Sequence, residues 1–157
     1  MAKSERKPLN LQAGRPLCAA CRPMNHGLDL LHRADLPALI ARWHREVSSA
    51  ELQAGYEALL VAADAAGCAR WLLDLRRRED LTEPTVNAWF SETFAPALRG
   101  RYPEAVRLAF LVSPLRAGQS VTAIVSAANT DCQIATFIDE AAAHDWLAQN
   151  QLVLSSK

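Results

Sequence analysis

The chain is poor in aromatic residues (6%), carries no excess of either charge, and has no long apolar run. Each shortage narrows the reading. Seventeen Lys and Arg are balanced by 17 Asp and Glu. This argues against a protein whose main task is neutralising phosphates, because nucleic-acid affinity rests largely on summed positive charge. No nucleic-acid partner is expected. No apolar stretch approaches the ~18 residues that cross a bilayer, so no transmembrane segment is expected either. What is present, 157 residues of which 50% are hydrophobic and 22% charged, has the proportions of one soluble domain with enough apolar side chain to bury a core.

Cysteine is scarce, four in all. Cys18 and Cys21 form a C-x-x-C followed by His26, a spacing that could supply three ligands to a tetrahedral zinc ion, but no fourth ligand lies nearby. Redox chemistry of the thioredoxin kind needs its C-x-x-C at a helix N-terminus, and this pair sits in a Pro-broken stretch. Cys68 and Cys132 are single and distant. The four read as unpaired thiols in a reducing cytoplasm, with no metal or cofactor called for.

The first 27 residues differ from the rest. Lys3, Arg6, Lys7, Arg15 and Arg22 face one acid, Glu5, so this stretch carries +4 and Leu28 to Lys157 carries −4. Pro8, Pro16, Pro23, Gly14 and Gly27 interrupt any periodicity. Residues 1–27 therefore read as a disordered basic arm. Leu9, Leu11, Ala13 and Leu17 are too interrupted for the apolar stretch of a secretory signal, so a cytoplasmic location is expected.

From Leu28 the pattern alternates between strand and helix. Leu28 to His32 and Leu39 to Val47 read as a hairpin turning at Asp35-Leu36-Pro37. In its second strand Leu39, Ala41, Trp43 and Val47 point one way, and Arg42, His44 and Glu46 the other. Ser48 with Glu51 makes a capping box, Leu52, Tyr56, Leu59 and Ala63 fall on one helix face, and Gly67 ends it. Trp71 to Leu75 is a continuous apolar run, as in a strand buried on both faces. A helix follows after Thr82 and Pro84 with Val86, Trp89, Phe90, Phe94 and Ala97 on its inner face, and Pro96 should kink or end it. Val106 to Ser113 is a strand, Val121 to Ala128 a short helix, and Gln133 to Ile138 a last strand. Asp139 caps a final helix from Glu140 to Gln149, with residues 151–157 as a tail.

The predicted order is β-β-α-β-α-β-α-β-α: a single α/β domain over 28–150 with a mostly parallel sheet of about five strands and four helices. The run Trp71-Leu72-Leu73-Asp74-Leu75-Arg76 after a capped helix, the strand Arg107-Leu108-Ala109-Phe110-Leu111-Val112-Ser113, and the ending Ala135-Thr136-Phe137-Ile138-Asp139-Glu140-Ala141-Ala142-Ala143-His144-Asp145-Trp146-Leu147 together resemble the SpoIIAA-like, or STAS-like, domains, and most of all their uncharacterised bacterial branch. The resemblance covers Leu28 to about Gln149 and implies a regulatory binding module. Some members are switched by serine phosphorylation, and some bind lipids or other small apolar ligands.

The switch motif itself is missing. Where anti-sigma-factor antagonists carry Asp-Ser-x-Gly, this chain has Arg76-Arg77-Arg78-Glu79-Asp80-Leu81-Thr82-Glu83-Pro84. A phosphate on Thr82 would gain from a helix N-terminus and the arginines but be repelled by Asp80 and Glu83. Arg76, Arg77 and Arg78 fall where open α/β sheets bind ligands, beyond the carboxyl ends of the strands, and guanidinium forks suit phosphate or carboxylate. The competing reading pairs Arg76 with Asp74 and leaves Arg77 and Arg78 solvated. Trp89 and Phe90 would line a cleft if Pro96 opened one. No nucleophile elbow, metal-binding helix motif or glycine-rich phosphate loop accompanies His32, His44 or His144, so no catalytic residue is assigned. His144 reads as a surface residue. The function expected is a non-enzymatic cytoplasmic regulatory or protein-interaction module with no cofactor and able to form a homodimer; the alternative is a carrier or sensor of a small amphipathic or anionic ligand such as a lipid, with an enzyme of unknown class as the outsider.

Overall fold

The computed structural model describes residues 22–24, 27–78, 84–117 and 132–149. Six strands form one sheet in the order β1 (Arg22–Met24), β2 (Leu28–Arg33), β3 (Ala38–Trp43), β4 (Arg70–Asp74), β5 (Val106–Leu111) and β6 (Cys132–Phe137). β1, β2 and β3 pair antiparallel, and β3 through β6 pair parallel. Five of these strands are those read from the sequence. The sixth, β1, lies inside the stretch read as a disordered arm: Arg22–Met24 pairs with Leu28–Leu30, and Gly27 turns the chain between them at φ 68°. The other arm residues, with Cys18, Cys21 and His26 among them, lie outside the described residues, as do Thr82, the expected helix Val121 to Ala128 and the tail.

The helix α1 (Ser49–Ala66) begins and ends as its sequence requires. Ser48 Oγ accepts from the Glu51 N–H, and the Glu51 carboxylate accepts from the Ser48 N–H at 2.8 Å. Gly67 at φ 59° donates to the carbonyls of Ala63 and Asp64, closing the last turn in the left-handed conformation that a side chain disfavours. Gly55 permits the close approach of α1 to the sheet, since a Cβ there would stand 3.0 Å from the Trp43 ring and 3.1 Å from Leu28.

The second helical body accommodates Pro96 by a change of helix type that the sequence did not show. α2 (Pro84–Trp89) runs on into a π-helical segment (Phe90–Phe94) and then α3 (Ala95–Ala97), so the helix loses its regularity ahead of Pro96 and ends one residue after it. Within a regular α-helix Pro96 would leave the Glu92 carbonyl without its donor and press its ring against that turn. The chain instead widens by one residue, the Ala95 N–H donating to the Phe90 carbonyl, and Pro96 enters in the first turn of α3, where no N–H is needed. The last helix, α4 (Glu140–Ala148), is capped by Asp139, whose carboxylate accepts from the Ala142 N–H at 3.0 Å.

Both faces of the sheet are covered. On one, Leu39, Ala41, Trp43, Trp71, Leu73, Leu108 and Phe110 pack against Leu52, Tyr56 and Leu59 of α1 and Val86, Phe90 and Phe94 of the second helical body. On the other, Ala38, Ile40, Leu72, Ala109 and Leu111 meet Ala143 and Leu147 of α4. The expected alternation along β3 and β5 is therefore an alternation between two cores. The strand β3 ends at Trp43, short of the expected Val47, because residues 44–48 already turn towards the cap of α1.

Leu73 lies at the centre of β4 with 0% exposure. Leu73→Ala is expected to destabilise the domain by about 2–5 kcal/mol, the range for truncating a buried leucine. Urea unfolding followed by tryptophan fluorescence measures it, and a loss below ~0.5 kcal/mol would be that of a surface position.

Candidate functional site

Alternation along β4 sends Trp71, Leu73 and Leu75 towards α1 and α2, and Arg70, Leu72 and Asp74 towards α4. Asp74 is therefore a carboxylate at the carboxyl end of a central strand, 3% exposed. Such a group must be paired. Arg76 grips it with two side-chain bonds, Nε to Oδ1 at 2.9 Å and Nη2 to Oδ2 at 2.7 Å, and its backbone N–H donates to Oδ1 at 3.2 Å. Arg42, in register with Asp74 on β3, brings Nε to 2.9 Å from Oδ2, an ion pair without a hydrogen-bonding angle. Glu140, the first residue of α4, closes the network: Oε1 accepts from Arg42 at 2.9 Å and Oε2 from Arg76 at 3.0 Å.

Burial pushes the Asp74 carboxyl up, but the Arg76 side-chain and backbone bonds and the positive charges of Arg76 and Arg42 outweigh it, leaving the group below the usual carboxylate range. The same pairing raises the Arg76 guanidinium. His144, one turn along α4, brings Nε2 to 3.6 Å from Glu140, and its side chain is 16% exposed rather than on the open surface that the sequence suggested. His44 pairs with Asp29 across the hairpin and stands apart from the network.

The three consecutive arginines meet three environments. Arg76 is committed to Asp74 and Glu140. Arg78, read from sequence as a solvated loop charge, is instead buried, its Nε and Nη2 donating to Glu46 Oε1 at 3.1 and 3.0 Å. Arg77 is exposed, and no carboxylate among the described residues pairs with it. Phe90 is buried in the core, and Trp89, half-buried, packs against it. Tyr56 sits at the middle of a ring cluster with Trp43, Trp89, Phe90 and Phe94 at centroid distances of 5.7, 5.9, 5.5 and 5.0 Å. These rings fill the space beneath α2, and burial pushes the Tyr56 hydroxyl up.

Two further arginines escaped the sequence reading. Arg107 Nη1 donates to the Trp146 carbonyl at 3.0 Å and to that of Gln149, with its guanidinium 5.2 Å from the Trp146 ring centroid. Arg70 Nη1 donates to the Leu147 carbonyl at 3.1 Å. Both sit at strand starts and cap the negative end of α4. The signal for them was available: on doubly covered strands an arginine pointing to a helix face has to find carbonyls or carboxylates there. Among the described residues no cluster of three or more His, Cys, Asp or Glu has the arrangement of a metal site, and no helix is long and apolar enough to cross a membrane. Compared with protein-family models, curated proteins and solved structures, the chain matches none.

Two outcomes follow from these environments. For Asp74, a folded-state value below the unfolded one means stability that is present above the unfolded pKa of about 4 and is lost as pH falls through the folded value. Asp74→Asn is thus expected to lower stability at neutral pH, with the gap to the parent narrowing below about pH 4; denaturant midpoints of both proteins across that range test it, and a constant gap would contradict it. For the arginines, Arg77→Ala should stay within about 0.5 kcal/mol of the parent while Arg78→Ala falls by more than about 1 kcal/mol, since it strips a buried cation site of its occupant. Paired thermal melts separate the two.

Proposed function

We propose that the chain is a non-enzymatic regulatory or protein-interaction module, similar to STAS-like domains but without the Asp-Ser-x-Gly switch. The observation that carries this reading is the state of the sheet's carboxyl edge. In open α/β sheets that edge is where ligands bind, yet here Arg42, Asp74, Arg76 and Glu140 satisfy one another, and Phe90 and Phe94 belong to the core with Trp89 packed against it. Among the described residues, that edge carries exposed Arg77 on the loop after β4, Leu115 after β5, 88% exposed, and Ile138 after β6, 55% exposed. Exposed apolar side chains and a guanidinium on successive strand ends suit a protein surface better than a small molecule, which needs a concave site to bury most of its own surface. The sequential strand order, with helical bodies on both faces, supports the STAS-like architecture.

The variant Arg77→Ala, Leu115→Ser should fold as the parent does, because neither side chain is buried. Affinity capture with parent and variant side by side is expected to return a partner with the parent that the variant loses. Identical recovery by both, or native mass spectrometry showing a stoichiometric small molecule on protein purified from its source, would replace this reading with the carrier or sensor.

A further inference from the structure

The two edges of the sheet are built differently. At one edge β1 has three residues, and Pro23 in its middle has no N–H to offer. At the other, β6 runs for six residues, Cys-Gln-Ile-Ala-Thr-Phe, with no charge, proline or glycine. Among the described residues nothing pairs with its outer side. Lysine, proline and bulges are the usual protections of such an edge, and β6 has neither of the first two.

The direction of its free groups follows from one bond. The Phe137 carbonyl accepts from the Val112 N–H, on the β5 side. The N–H and C=O of one strand residue point to the same side, and successive residues alternate, so Phe137, Ala135 and Gln133 turn inward to β5 and Cys132, Ile134 and Thr136 turn outward. Three N–H and three C=O groups thus line the edge, and an uncharged row of this kind is a pairing template.

We propose that β6 pairs antiparallel with β6 of a second copy of this chain about a two-fold axis through Ile134. In that register Ile134 faces Ile134 of the second copy and Cys132 faces Thr136 in both directions, so all six outward groups are satisfied. The absence of charge means no like charges meet at the axis, where any charge on Ile134's position would face itself. The arrangement closes as a dimer, as an isologous contact must. A seventh strand of the same chain is the competing occupant, and chain direction disfavours it. The sheet advances from β3 to β6 with α1 and α2 on one face, whereas α4 lies on the other. If the crossovers through α1 and α2 have the hand adopted by about 98% of parallel connections, a strand reached through α4 outside β6 would have the opposite one.

The test is sedimentation equilibrium of the full chain and of Thr136→Pro, with amide hydrogen exchange on both. Proline at 136 removes an outward N–H and leaves the β5 ladder intact. The parent is expected to be a dimer with slow exchange at Ile134 and Thr136. In Thr136→Pro the dissociation constant should rise about tenfold or more, with faster exchange at Ile134 and an unchanged circular dichroism spectrum. Should the proline variant not fold, Thr136→Lys, which sets a charge on the edge, is expected to give the same shift in mass. A parent that stays monomeric at sub-millimolar concentration overturns the proposal, whether its edge amides exchange fast or are protected by another segment. So does a dimer that a folded Thr136→Pro or Thr136→Lys variant leaves unaffected.

Discussion

Burial of β4 on both faces is the constraint from which the rest of the structure follows. A strand with Trp71, Leu72 and Leu73 at 0% exposure needs a helical layer on each side. The chain supplies α1 and α2 on one face and α4 on the other. The same burial reaches the last residue of the strand, where Asp74 cannot meet water. An isolated carboxylate there would be expensive to ionise, so the position is stable only with cations assembled around it. Arg42 comes from the neighbouring strand by register, and Arg76 from the chain's own exit. Glu140 then offsets the second positive charge and ties the first turn of α4 to β3 and to the residues after β4. An electrostatic requirement of the core thus helps fix where the outer helix begins.

At the opposite end α4 is held by the same means with the charges reversed. Its closing carbonyls, from Trp146, Leu147 and Gln149, are taken up by Arg107 and Arg70. Nine residues make a short helix, and helices of that length owe little to propensity. With an acid among arginines at its first turn and two guanidiniums at its last, α4 is placed by its ends while Ala143 and Leu147 fill the space between it and the sheet. The small alanine at its centre lets the helix lie close, so the arginines can reach its carbonyls.

Local signals made the elements legible. Ser48 with Glu51, Gly67, and Asp139 are short-range chemistry, and each acts in the structure where its pattern places it. The unbroken apolar run at Trp71 announced a strand covered on both faces. Where reading failed, distant partners decided the outcome. Pro96 was read as a kink or an end because its own ring forbids a regular helix, and the π-helical turn that it receives depends on Phe90 and Phe94, both anchored in the ring cluster around Tyr56. Keeping both rings in that cluster favours a wide turn over a stop. β1 was missed for a similar reason: Arg22–Met24 has no strand pattern of its own and becomes a strand through its pairing with β2.

The candidate site was harder to read than the fold because charge in a sequence does not reveal its partner. Within Arg76-Arg77-Arg78 the pairing of Arg76 with Asp74, two residues away, was legible, but the burial of Arg78 was not. Arg76 doubles back on Asp74, Arg77 points to solvent, and Arg78 folds under towards Glu46 of the loop before α1. The period of a strand has ended by then and the period of a helix has not begun, so no repeat assigns the three side chains to faces. Register supplies what periodicity cannot. Arg42 and Asp74 occupy paired positions on adjacent parallel strands, and their charges become complementary only after that pairing is fixed. A triplet that suggested an anion site is thereby divided: one arginine balances a buried acid, one supports the loop before α1, and one remains available at the surface.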